Sequence, residues 1–495
     1  MLLLYEEVDE AHGGGGAEIG RQAGVPFGAG GVGAARGPPE AGVASPHAPR
    51  GELLLELGGD RIVTERYCSV AELSLCHARQ SHTGERDELS KGLKAGVGVT
   101  ETIGVRVAGL RKLRGYSQRG LATRAHVSYS LLTKVESGHA PASPAFIGAV
   151  ARALKVDVPR ITGQPYQEPV SQGQRLQAVV EPLRRALLTQ DLPPEEAPEP
   201  RSLAELRKDV EEASQLGRQA RYLRLGEMLP SLLEELSIAV HHSDDPRLHA
   251  LMAEAYGGVS ALAHMLGYQD MRGIVLERIE REAQLSRDPL RVARTRWSRG
   301  VSLLAVAAYE QGLRLMEQTR RGLGDDPERM EPAAAALYGS LHLRSSVLAA
   351  RSGDADLSDE HLRLAGHAAQ SLAGDSTNYY GLEFRPSNVA LHAVSAAVEL
   401  EDGAKAIERA LPLYKAFPVD LPPVRAGHHW IDVARGWYYH GDRGQAFDAL
   451  RRARSAAPQQ VRNHPMVREL VQTMASTGAR PSEDLRRFAA WLGLV

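Results

Sequence analysis

IGVRVAGLRKLRGYSQRGLATRAHVSYSLLTKVESGHAPASPAFIGAVARALKV, residues 103–156, is a run of short amphipathic helices punctuated by cap and turn residues. A first helix is predicted from Ile103 to about Arg114, with Ile103, Val107 and Leu110 on its inner face. Ser117 stands where an N-cap belongs, because its hydroxyl can accept from a free backbone N–H of the next helix. Leu121, Ala122 and Ala125 then point inward, Val127 closes the turn, and Ser128 caps a third helix held by Leu132 and Val135. Ser143 followed by Pro144 reads as N-cap and first position of a fourth helix, Pro144 to Leu154, burying Phe146, Ile147, Val150 and Leu154. Charge is equally local: residues 99–165 carry ten Lys and Arg against three Asp and Glu, in a chain of formal net charge −2. A basic module on an acidic body is the footprint of a nucleic-acid-binding domain joined to a separate sensing or assembly domain.

Across some 55–60 residues this stretch resembles the phage-repressor-like (Cro/Xre) helix-turn-helix family. The resemblance implies a five-helix domain that lays its third helix in the major groove of double-stranded DNA. It puts Tyr129, Ser130 and Lys134 at base-reading positions. Ser130 can donate or accept, Lys134 can donate to guanine O6 or N7, and Tyr129 can pack on a thymine methyl or reach a phosphate. Gln118 resembles the family glutamine that braces the DNA backbone and a neighbouring base, while Arg119, Ser128 and Thr133 are candidates for phosphate contact. Taken singly, Arg119, Arg124 and Lys134 also fit solvated surface charges, and Tyr129 a half-buried helix residue. Arg111 and Glu136 resemble an internal ion pair of the family and are assigned to structure. The turn position that the family usually gives to glycine is His126, where a left-handed backbone is expected.

Working outward, HHWIDVARGWYYHGDRGQAFDALRRARSAAP (428–458) resembles a tetratricopeptide repeat. Trp430, Val433, Ala434, Trp437, Gly441, Ala446, Leu450, Ala453 and Pro458 follow its order of large, small, turn and stop positions. A weaker copy holds Ala393, Ala397, Ala406 and Pro418, and segments near 250–285, 292–322 and 335–372 keep the hairpin rhythm. About six hairpins would form an α-solenoid over 203–495 whose concave face can hold a peptide, a small molecule or another subunit. Tyr309, Tyr379, Tyr380, Trp430 and Trp437 are expected to pack between helices. Between the two domains, 166–202 reads as a helix followed by the Pro/Glu-rich linker DLPPEEAPEPRS. The fold class is therefore all-α.

Residues 1–98 are rich in Gly, Ala, Pro and Arg and lack sustained periodicity, which reads as a disordered extension. A second reading is that translation begins at Val99. Gly28, Gly30 and Gly33 match GxGxxG but lack a flanking strand and helix, and Cys68, Cys76, His77 and His82 fit no zinc-module spacing. Two cysteines make no disulfide framework, and no window approaches a membrane span, so a cytoplasmic, nucleoid-associated protein is expected. The His pairs at 241–242 and 428–429 lack the further ligands of a metal site, no catalytic constellation stands out, and neither a cofactor nor enzyme activity is expected. The resemblance covers 99–495 and extends to actinobacterial regulators that join the two modules, which implies a homodimer with a peptide or small-molecule effector. The alternative is a repeat scaffold that the small domain merely tethers to DNA.

Overall fold

In the computed structural model, Thr102, Ser117, Ser128 and Ser143 each accept a hydrogen bond from the backbone N–H three residues ahead, at 3.0–3.2 Å. Each cap starts a helix: α1 (Ile103–Leu113), α2 (Gln118–Ala125), α3 (Tyr129–Glu136) and α4 (Pro144–Leu154). A short α5 (Val158–Thr162) completes the bundle. Its core is the expected one, with Ile103, Val107, Leu121, Leu132, Val135, Phe146, Val150 and Leu154 buried and Leu110 partly so. His126 ends α2 at φ 53°, as its place in the turn predicts.

The structure describes residues 101–166, 176–192 and 198–494, apart from 373, 375–376, 419 and 478–480. The chain divides into units Met1–Glu85 and Arg86–Val495, and every described residue belongs to the second. The readings made for residues 1–98, with the GxGxxG and Cys/His clusters, lie outside the described residues. All described elements are helical.

After α6 (Val180–Thr189), six antiparallel hairpins follow in order. They are α7/α8 (Leu203–Arg218, Tyr222–His242), α9/α10 (Pro246–Leu266, Gln269–Leu285) and α11/α12 (Pro289–Ala305, Tyr309–Arg321). Then come α13/α14 (Pro332–Ser352, Ala355–Ser371), α15/α16 (Pro386–Glu399, Gly403–Lys415) and α17/α18 (Pro423–His440, Arg443–Ala456). Three more helices close the chain: α19 (Pro458–Asn463), α20 (Pro465–Ser476) and α21 (Glu483–Trp491). Each helix packs on the next, and first helices of successive hairpins also meet, α7 with α9, α11 with α13, α13 with α15 and α15 with α17, as stacking in a solenoid requires. Fully buried alanines at 365, 397, 406, 434, 446 and 453 let paired helices approach closely, and Gly441 turns the clearest repeat at φ 97°.

Two features go beyond the expected α-solenoid and linker. The helix expected before the linker joins the first repeat core through Val180, Leu183 and Leu187, so it is a packed element of the repeat domain. The array also closes on itself: Ala457 belongs to the first core, Val424 packs against it, and the Leu223 N–H donates to Gln459 Oε1 at 3.0 Å. The closed array walls a cavity of ≈ 910 Å³. Tyr309 and Trp430 pack in the cores as expected, whereas Tyr379 and Tyr380, in a single 3-10 turn, also wall this cavity.

The helix-turn-helix bundle is seated on the repeats at two places. On one side Arg152 donates to the Ala307 carbonyl at 3.0 Å and lies over the Tyr309 ring. On the other, the buried Glu469 Oε1 accepts the Ala142 N–H at 3.0 Å, Ser476 donates to the Gly138 carbonyl, and Met466 enters the bundle's core. The first seat needs Gly148, since a Cβ there would stand 2.5 Å from the Ala307 Cβ and 2.9 Å from the Tyr309 hydroxyl. Gly148→Val is therefore expected to cost about 1–3 kcal/mol. Chemical denaturation reads that cost, and faster limited proteolysis between 163 and 202 should accompany it as the bundle loosens from its seat.

Between α13 and α14, His342 Nδ1 meets His361 Nδ1 at 2.9 Å with both rings buried, an arrangement only a neutral imidazole can complete. Burial, with the Arg320 charge, pushes His342 down to about 2 and His361 down to about 4. The unfolded chain, with histidines near 6.5, therefore binds more protons than the folded one below that pH, and stability falls as pH falls from 6.5 towards 4. Each such histidine should contribute a loss of about 2 kcal/mol between pH 7 and pH 5. Urea denaturation at both pH values should show a shallower loss in the double variant His342→Gln/His361→Gln.

Candidate nucleic-acid interface

What orients α3 is a small polar network. Arg111 holds Glu136 with two hydrogen bonds, Nε to Oε1 at 2.7 Å and a terminal nitrogen to Oε2 at 2.9 Å, and its other terminal nitrogen donates to the Tyr116 carbonyl at 2.9 Å. Both side chains are largely buried, and hydrogen bonding to Glu136 holds the Arg111 guanidinium above its ordinary pKa. The pair ties α1 to α3 as a fork-on-carboxylate bond, which has one geometry. Gln118 adds a third member, its side-chain N–H donating to Glu136 Oε2 at 2.8 Å. α1, α2 and α3 are thus locked to one another through a single carboxylate.

The face of α3 turned away from the buried Leu132 and Val135 is open. Ser128, Tyr129, Ser130 and Lys134 are exposed, with Tyr129 46% accessible. Arg119, exposed on α2, lies with its guanidinium 5.5 Å from the centre of the Tyr129 ring, so a cation of α2 and the ring of α3 form one surface. Ser130 and Lys134 stand clear on this surface as a hydroxyl and an ammonium. That is a donor and acceptor set able to meet base edges.

The other expected site residues are partly occupied within the domain. Gln118 commits one N–H to Glu136 and keeps its second N–H and its carbonyl oxygen. Ser128 Oγ accepts from the Leu131 N–H as the cap and retains its own O–H for a phosphate. Thr133 is half-buried and donates its hydroxyl to the Tyr129 carbonyl at 2.9 Å. The residues that seat the domain, Gly148, Glu469 and Met466, carry no local signal in the sequence, because their roles exist only once distant helices meet.

A helix-turn-helix bundle with an outward third helix, seated on a closed array of helical hairpins, is the class of architecture these observations define. Residues 102–161 match a sequence-family model described as a helix-turn-helix domain, so the first five helices are a helix-turn-helix DNA-binding domain. No curated protein matches the chain. Among solved structures it is similar to BtubC (BKLC) from P. vanneervenii, 14% identical, covering 51% of this chain and 91% of that one, with a TM-score of 0.32. It is also similar to Bacillus thuringiensis PlcR in complex with the peptide PapR7 and DNA, 13% identical, covering 65% of this chain and 100% of that one, with a TM-score of 0.26.

Glu136→Ala should leave Arg111 without its partner and free Gln118, at a cost of about 3–5 kcal/mol to the bundle. Thermal unfolding followed at the helix-turn-helix domain reads the loss, and Glu136→Gln, which keeps an acceptor for both donors, should lose less.

Proposed function

We propose that this protein is a sequence-specific DNA-binding transcription regulator that binds as a homodimer. It reads the major groove through α3 and uses its repeat domain for dimerisation and for receiving a peptide or small-molecule effector. The observation that carries the reading is the open face of α3, where Tyr129, Ser130 and Lys134 are exposed while Leu132 and Val135 turn into the core. The strong positive balance of 99–165 supports it, because phosphate neutralisation supplies most of the affinity for a duplex. The reading assigns no catalytic step. Among the described residues there is no group of side chains that could hold a metal ion and no helix long and apolar enough to cross a membrane. A cytoplasmic, nucleoid-associated site of action belongs to the same proposal.

Base readers and phosphate contacts predict different behaviour. Selection of bound sequences from a random duplex pool, followed by titration on the selected and a scrambled duplex, separates them. Ser130→Ala with Lys134→Ala should relax base preference, each lost contact narrowing discrimination by about 1–3 kcal/mol. Arg119→Ala should weaken both duplexes alike and lower the salt slope by about one. Unchanged preference in the double variant would refute the assignment of those positions, and a wild-type chain that selects no sequence would favour the tethered scaffold instead. Light scattering on the protein–duplex complex tests the dimer.

A further inference from the structure

The cavity walled by the repeats is lined by seven arginines and four carboxylates. Following each cation to its partner shows which remain free. Arg351 and Arg435 share Glu399, at 2.9 and 2.8 Å, and Arg435 also reaches Asp432. Arg291 lies 3.8 Å from both Glu254 and Asp288, and Glu383 pairs with Arg385. Four arginines of the wall have no carboxylate within ion-pair distance among the described residues: Arg218, which bonds the neighbouring Gln215 on its own helix, and Arg294, Arg344 and Arg425, which the repeats bring together.

Arg294, Arg344 and Arg425 are held rather than neutralised. Arg294 donates through Nε to the Tyr380 carbonyl at 3.1 Å and also bonds Ser298, and Arg425 donates to the Leu382 carbonyl at 3.3 Å. Arg344 has a buried Nε with no partner at all. The Trp297 ring carries Arg294 and Arg344 at 4.5 Å each and is itself anchored by its N–H on the Ser340 carbonyl at 3.0 Å. Burial and the neighbouring guanidinium charges push Arg344 down to about 9, and burial, with the Arg425 charge, pushes Arg294 down to about 10. Both remain charged at neutral pH, enclosed and repelling one another. The imidazoles of His392, His428 and His464 on the same wall are kept neutral by burial, pushed down to about 3, 4 and 3, so they add donors and acceptors without further charge.

An enclosed cation without a partner is costly, and several together are costlier still. Fixing three guanidinium forks on carbonyls and an aromatic platform around one void prepares a site for the planar, bidentate recognition of an oxyanion. From this geometry we infer that the cavity is a binding site for a small organic oxyanion, carrying phosphate or carboxylate groups, that Arg294, Arg344 and Arg425 engage directly. The volume of ≈ 910 Å³ suits a molecule of drug-like size. The inference deepens the reading of the repeat domain as the effector-receiving part and supplies the chemical class of the effector.

The test uses the full chain, without DNA, at fixed ionic strength. Inorganic pyrophosphate and citrate serve as probes that separate the phosphoryl from the carboxylate source, and sucrose is the neutral control. Calorimetric titration and melting temperature are both read. At least one anion should bind and raise the melting temperature where sucrose does not. Arg344→Gln with Arg425→Gln should weaken that binding by at least about tenfold, while Arg344→Lys retains part of it and Arg329→Gln, on an exposed turn, changes nothing. Without ligand, Arg344→Gln should raise the melting temperature, because it removes an unpaired enclosed charge. A purely structural arginine would do the reverse, so a lowered melting temperature or a failure to fold overturns the inference. Binding no tighter than that of sucrose for both anions, or unaltered in the double variant, overturns it as well. Because operator binding is measured separately, loss of this site leaves the DNA-binding reading standing.

Discussion

Close approach of paired helices across small side chains is the constraint on which the rest of the structure depends. A single hairpin such as α17/α18 cannot cover its own apolar face. It is stable only because Ala434, Ala446 and Ala453 are small enough for its two helices to meet while Trp430 and Leu450 reach into the shared core. Repeated over six hairpins, the same requirement curves the array until its last helices reach its first, where Ala457 enters the N-terminal core and Gln459 accepts the Leu223 N–H. Closure produces both the internal cavity and the seat for the DNA-binding domain.

That seat and that cavity share a wall. Pro144, the first residue of α4, lines the cavity, and so does Met466, whose side chain is part of the helix-turn-helix core. The buried Glu469 on the same helix as Met466 takes the Ala142 N–H just before α4, and burial pushes its carboxyl pKa up. Few contacts separate a molecule in the cavity from the packing that sets the domain's position. The recognition surface itself is internally fixed, since Arg111, Glu136 and Gln118 lock α1, α2 and α3 irrespective of what the repeats do. Movement of the domain would therefore carry α3 as a rigid reader rather than deform it.

The helix-turn-helix was legible almost residue by residue. The caps at Ser117, Ser128 and Ser143, the helix from Pro144 to Leu154, the left-handed His126 and the pairing of Arg111 with Glu136 all lie where the sequence places them. Two of the expected contact residues also have partners inside the domain: Gln118 gives one of its donors to Glu136, and Thr133 donates its hydroxyl to its own helix. In the repeats the hairpin rhythm was readable, but the placement of Tyr379 and Tyr380 on the cavity wall was not, since a tyrosine facing a void and one facing a helix carry the same local pattern.

The sequence alone determined the caps, the helical periodicities, the small-residue positions of the repeats and the basic balance of one module, because each arises from residues within a turn or two of one another. Tertiary structure alone decided that the array closes, that Gly148 and Glu469 seat the domain, and that Arg294, Arg344 and Arg425 face one another without carboxylate partners. An arginine on a helix surface looks the same in sequence whether it faces water or an enclosed void. Only the curvature summed over many hairpins, each adding a small rotation, brings such residues from α11, α13 and α17 to the same place.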